Sequence, residues 1–147
     1  MRLQDVEQFI DENSDDCDPG TPATPEMIQR AEAILGVTFP DDYRQFLQRW
    51  GTLSIGPIEF YGISGRMPEN AQIPNTVWYT LAKREEVGLP NNLVILVNND
   101  GVEYHCIDTT HQARSRVVVF DLRKRAVGHV KADSLFDYII NESANAF

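Results

Sequence analysis

At 147 residues with 42% hydrophobic side chains, the chain can bury an ordinary core in one domain without staples. Its two cysteines, Cys17 and Cys106, are no disulfide framework and read as free thiols of a reducing cytosol. Net charge is −9, and residues 1–29 carry eight of the acids (Asp5, Glu7, Asp11, Glu12, Asp15, Asp16, Asp18, Glu26) against Arg2 alone. Such a field repels nucleic-acid phosphate and draws basic proteins, though acidity also serves plain solubility. Met1-Arg2-Leu3-Gln4-Asp5 leads into acidic amphipathic sequence. No stretch approaches the roughly 20 apolar residues of a membrane span. Neither signal peptide nor membrane segment is expected, and the expected location is cytoplasmic.

Leu3, Val6, Phe9 and Ile10 are spaced for one face of a short helix ending near Asn13. Ser14 to Pro22 reads as a loop that buries little. Thr24-Pro25 is an N-cap followed by proline at the first helical position; Met27, Ile28, Ala31, Ile34 and Leu35 form the stripe, and Gly36 ends the helix. Phe39-Pro40 starts a second helix with Tyr43, Phe46, Leu47 and Trp50 on one face, stopped by Gly51. A strand is expected at Ile58 to Tyr61. After a polar stretch with Pro68 and Pro74, Thr76 to Glu86 reads as a helix with Trp78, Leu81 and Ala82 inward. Leu93 to Val97 is apolar on both faces and predicts a central strand. Asn98-Asn99-Asp100-Gly101 predicts a tight turn into a strand from Val102 to Ile107. Arg116 to Phe120 predicts another, Arg123-Lys124-Arg125 the following turn, and Ala126 to Val130 a short edge strand. Ser134 with Asp137 resembles a capping box for a last helix burying Leu135, Phe136, Ile139 and Ile140. The order predicts one α+β domain over 1–147, with a largely antiparallel sheet packed against helices at both ends.

No run declares a reaction. His105-Cys106-Ile107-Asp108-Thr109-Thr110-His111 collects metal-ligand residue types, but on a strand His105 and Cys106 point to opposite faces. Cys106 in a strand interior lacks the surroundings that activate a thiol. Gly62-Ile63-Ser64-Gly65 lacks the strand–elbow–helix context of a serine nucleophile, and no lysine stands beside it for a phosphate loop. Asp41-Asp42 reads as a complement to a helix dipole. The basic turn reads as a solvated guard of the edge strand, not a nucleic-acid site. No catalytic residue, metal or cofactor is assigned.

The run Ile34-Leu35-Gly36-Val37-Thr38-Phe39-Pro40-Asp41-Asp42-Tyr43-Arg44-Gln45-Phe46-Leu47, then Trp50-Gly51, resembles the SUKH superfamily, which includes bacterial immunity proteins and a fungal regulator of cell-wall synthesis. Phe60-Tyr61-Gly62-Ile63, Tyr104-His105-Cys106-Ile107-Asp108-Thr109 and Ser134-Leu135-Phe136-Asp137-Tyr138 extend the likeness over about residues 3–142. The resemblance implies a non-enzymatic domain that binds and neutralises a basic toxin domain, of nuclease or deaminase class, in the cell that makes it. A regulatory or scaffold module is the alternative it leaves, with monomer and homodimer both open. Since the matching positions are scaffold, the binding candidates come from acids and aromatics near the sheet: Glu59, Tyr61, Asp100, Glu103 and Asp121.

Overall fold

The computed structural model describes residues 1–64 and 75–146. The expected polar stretch with Pro68 and Pro74, and Gly65, lie outside them. The first helix, α1 (Leu3–Glu12), packs against the last, α5 (Leu135–Ala144), as the apolar spacing of both requires. Helix α2 (Pro25–Leu35) opens on the Thr24 hydroxyl, which accepts from Met27 N at 3.2 Å. It closes on Gly36 at φ 69°, the left-handed cap that glycine adopts without Cβ strain. Helix α3 (Asp41–Trp50) buries Tyr43, Phe46, Leu47 and Trp50 on one face. Edge and stacked contacts run from Phe39 to Tyr43, Phe46 and Trp50, with ring centroids 5.2–5.7 Å apart. One carboxylate locks the step between the helices: Glu32 Oε2 accepts from Phe39 N at 2.7 Å and from Arg44 Nη2 at 2.8 Å.

Two antiparallel sheets follow. The smaller joins β1 (Cys17–Pro19), β2 (Leu53–Ile55) and β3 (Ile58–Phe60) in that order. Two of its strands are corrections to the sequence reading. The predicted loop from Ser14 holds a 3-10 turn at Ser14–Asp16 and then β1, while β2 had no predicted counterpart. Three-residue strands carry too little alternation to read. Here pairing forms them, with Gly56 N donating to Asp16 O and Gly20 N to Thr52 O, both at 2.8 Å.

The larger sheet is a meander of β4 (Leu93–Asn99), β5 (Glu103–Asp108), β6 (Arg116–Asp121) and β7 (Ala126–Ala132). Its first strand is not central, as the apolar run suggested; it ends the strand order, yet its faces are buried and its outer edge is bonded. Tyr61 N donates to Leu96 O at 2.7 Å. Helix α4 (Thr76–Val87) serves Ile95: Thr76 Oγ1 donates to its carbonyl at 2.6 Å, and Thr80 Oγ1 accepts from its N–H at 3.1 Å. Those bonds fix the rotation of α4. Thr76, Val77, Tyr79 and Thr80 are therefore the buried side, and Trp78, Leu81 and Ala82, predicted inward, are only half-buried. A stripe chosen by hydrophobicity missed a helix held by hydroxyls to strand backbone.

The large sheet divides the core. Val94, Leu96, Ile107 and Val117 pack with α2, α3 and α5; Leu93, Ile95, Tyr104, Cys106, Val118 and Phe120 pack with Tyr61, Tyr79 and Leu89.

Candidate functional site

The β2–β3 turn and the end of β4 frame an open groove of about 410 Å³ whose walls include Pro57, Glu59, Tyr61, Asn98, Asn99 and Asp100. Three of the five predicted binding residues thus meet in one place. Asp18 pairs with Ser54 and Ser54 with Glu59, so all three share one face of the small sheet. The opposite face carries the buried Leu53, Ile55 and Phe60. Two carboxylates are thereby set in a row beside the groove. The Asp16–Gly56 hydrogen bond holds the acidic segment that includes Asp15 and Asp16 next to the same hairpin.

At the far wall, Asp100 and Gly101 turn the chain at φ 55° and 71°, and Asn98 Oδ1 accepts from Gly101 N at 2.9 Å. This is the turn predicted from Asn-Asp-Gly, and the following strand begins at Glu103, leaving Val102 in the turn. Tyr61, expected to be an exposed handle, is buried. It is 4% exposed and packs edge-on against Tyr79 at 5.3 Å. Burial, with Tyr79 and Glu59 nearby, pushes its phenol up to about 12, so it stays neutral and walls the groove.

Glu103 and Asp121 pair with each other across β5 and β6, and each has an internal partner. Asp121 Oδ1 accepts from Lys124 N at 3.0 Å and fixes the β6–β7 turn. Glu103 Oε2 lies 2.6 Å from His105 Nε2, and His105 Nδ1 meets the Tyr138 hydroxyl of α5. A neutral imidazole satisfies both: Nε2–H donates to the carboxylate and Nδ1 accepts from the phenol. One signal in the sequence points to half of this arrangement: residues 103 and 105 alternate onto one strand face. The Tyr138 half depends on where α5 docks.

This buried network gives a pH-dependent prediction. Around His105 lie Glu103, Tyr138, Lys131 and Glu142. Desolvation, its largest cause, holds the imidazole below its ordinary 6.5, with Lys131 acting the same way against the pull of Glu103 and Glu142. The unfolded chain therefore takes up the proton first. Stability is full above about pH 6.5 and falls as the pH drops below it. Glu103, held below the usual carboxylate range chiefly by its hydrogen bond to His105, adds a further loss at lower pH. Urea unfolding between pH 7.5 and 5 should show this slope, and His105→Gln should flatten its upper part; an unchanged slope would contradict the account.

The larger surface cavity, about 570 Å³, lies elsewhere, along the β5–β6 loop at Thr110, His111, Arg114, Arg116 and Asp133. It is an open bay in which Arg116 already faces Asp133 at 3.7 Å and His111 faces Asp108 at 3.9 Å. Cys106 is fully buried, and burial raises its thiol above the ordinary range, away from the thiolate a nucleophile needs. Register places Cys106 with Val118 and His105 with Val119, on opposite faces as predicted. Among the described residues no three His, Cys, Asp or Glu side chains gather as metal ligands. Among the same residues no helix is long and apolar enough to cross a membrane.

Set against known families, residues 6–143 match the SUKH group described as SMI1-KNR4 cell-wall. The chain belongs to the SUKH superfamily. A crystal structure of a protein from Pseudomonas syringae pv. tomato superposes on this SUKH domain with a TM-score of 0.69, covering 92% of this chain and 96% of the other. At 15% identity that likeness speaks for the fold alone. The signature run is scaffold here: Tyr43 Oη donates to Tyr61 O at 2.9 Å, and Arg44 is held by Glu32 of the preceding helix at 2.8 Å.

Proposed function

We propose that this SUKH domain is an immunity protein: it binds a cognate toxin domain of nuclease or deaminase class in the cytoplasm of the producing cell and neutralises it by covering its basic substrate cleft. One observation carries the reading. The outer face of the small sheet aligns Asp18, Ser54 and Glu59 beside an open groove bounded by Asp100, which gives a basic surface aligned acceptors to meet. Family membership supports a domain of this kind, whose signature residues build a platform. Charge at such an interface sets encounter rate and salt sensitivity more than final affinity.

Co-expression with the product of the adjacent toxin-like gene should restore growth, and the purified pair should associate more slowly as salt rises. Asp18→Lys, Glu59→Lys and Asp100→Lys together should slow association by about tenfold or more while the free protein stays folded, lysine at the positive φ of position 100 costing about 1–2 kcal/mol. Absence of both rescue and complex would remove the proposal; a complex indifferent to the three reversals would move the binding face elsewhere.

A further inference from the structure

The opposite edge of the large sheet has a different character. All of β7 but Ala132 is exposed, and its outer edge is unpaired by any strand of the described residues. Val127 and Val130 are 50% and 45% exposed. They pair with Phe120 and Val118, two residues apart on β6, so a bulge in β7 brings both valines to one face. Val102, 63% exposed, sits in the adjoining turn, where Leu122 N donates to its carbonyl at 3.2 Å. From residue 122 to residue 132 the chain holds Arg123, Lys124, Arg125 and Lys131 and no acid. The arginines and Lys124 have no ion-pair partner among the described residues, whereas Lys131 reaches Glu142 at 3.0 Å.

We propose that β7 is a second protein-binding surface, where an extended acidic segment of another protein, with apolar residues alternating, adds as a fifth strand. The unpaired backbone edge calls for a strand, because only a strand returns a matching row of N–H and carbonyl groups. Charge selects its chemistry. The β7 strand of a second copy carries no acid to offer the basic turn, whereas an acidic segment meets Arg123, Lys124 and Arg125 at the rim and lays apolar side chains on Val127 and Val130. The surface lies across the sheet from the acidic groove, about 14 Å away at three strand spacings. It therefore stands or falls separately from the toxin reading.

The test uses the full chain and a fluorescein-labelled nine-residue peptide alternating valine and glutamate. Binding read by anisotropy should saturate, and amide exchange should slow across residues 126–132. Arg123→Glu, Lys124→Glu and Arg125→Glu together should weaken binding by about tenfold or more. The same peptide with alternate backbone amides N-methylated should not bind, since its donors are gone. Four results would overturn the proposal: no binding of the valine–glutamate peptide; equal binding of the N-methylated peptide or of a valine–lysine one; protection of β7 by a single-stranded oligonucleotide in the peptide's place; or self-association that already protects β7 in the free protein.

Discussion

Asp42→Ala is expected to lower the unfolding free energy by about 3–5 kcal/mol, while Asp41→Ala one residue earlier should cost about 1 kcal/mol or less. The two acids look alike in sequence, and both were expected to serve the helix dipole. Only one stays on the surface. Asp42 is 5% exposed and turns inward from the first turn of α3. Its two oxygens accept from Ser115 N at 2.9 and 2.8 Å, from Ser115 Oγ at 2.5 Å and from Leu135 N at 3.0 Å. One carboxylate thus joins three elements distant in sequence: α3, the start of β6 and the start of α5. Truncation leaves two backbone N–H groups and a hydroxyl buried without acceptors, and that loss of partners is the larger part of the cost. Asp42→Asn keeps the shape but turns an amide N–H2 toward groups that are themselves donors, so about 2–3 kcal/mol is expected. Urea unfolding at neutral pH gives the magnitude, and amide exchange at Ser115 and Leu135 gives the location. A cost under about 1 kcal/mol for alanine would mean that the carboxylate does not hold these elements together.

The difference between Asp41 and Asp42 marks where the sequence is legible. Helices α2 and α3 could be read residue by residue, because caps and periodicity act within a few positions: Thr24, Gly36 and the Tyr43–Trp50 face all sit as local rules require. The turn at Asp100-Gly101 and the opposed faces of His105 and Cys106 follow from equally local geometry. What escaped reading is set by partners far along the chain. Strands β1 and β2 exist through their pairing, α4 takes its rotation from the backbone of Ile95, and Asp42 finds donors more than 70 residues away. The binding candidates divide the same way. Glu59 and Asp100 converge because β3 ends beside β4, and Asp18, which no local pattern singles out, joins them through register alone. Glu103 reads in sequence as a free acid, but its neighbour on the same strand face is a histidine that the fold buries.

Gly62→Ala is expected to be among the most damaging single-methyl changes at the described residues, costing about 4 kcal/mol or more and leaving little folded protein. The glycines of the family signature look equivalent in sequence, yet they answer to different forces. At Gly36 a new Cβ would meet nothing within 4 Å, so only the positive φ of 69° opposes it, a cost of about 1–2 kcal/mol. At Gly62 the Cβ would stand 1.8 Å from the carbonyl oxygen of Gly51, and at Gly51 it would stand 2.0 Å from that of Thr21. Backbone atoms cannot swing aside as a long side chain can. Four segments meet at this point: Gly51 O accepts from Ile63 N at 3.1 Å, Gly62 O from Thr76 N at 2.8 Å, and Leu47 O from Ala23 N at 2.9 Å. Any shift that admits a methyl group must break that set of bonds. The same crossing fixes Phe60 and Tyr61, so it also places one wall of the acidic groove. Soluble yield and thermal melting of Gly36→Ala, Gly51→Ala and Gly62→Ala decide the matter. The order expected is a mild loss at Gly36 and a severe one at both others. If Gly62→Ala melted no lower than Gly36→Ala, the close backbone approach would have to be looser than the structure draws it, and the position of Tyr61 in the groove would loosen with it.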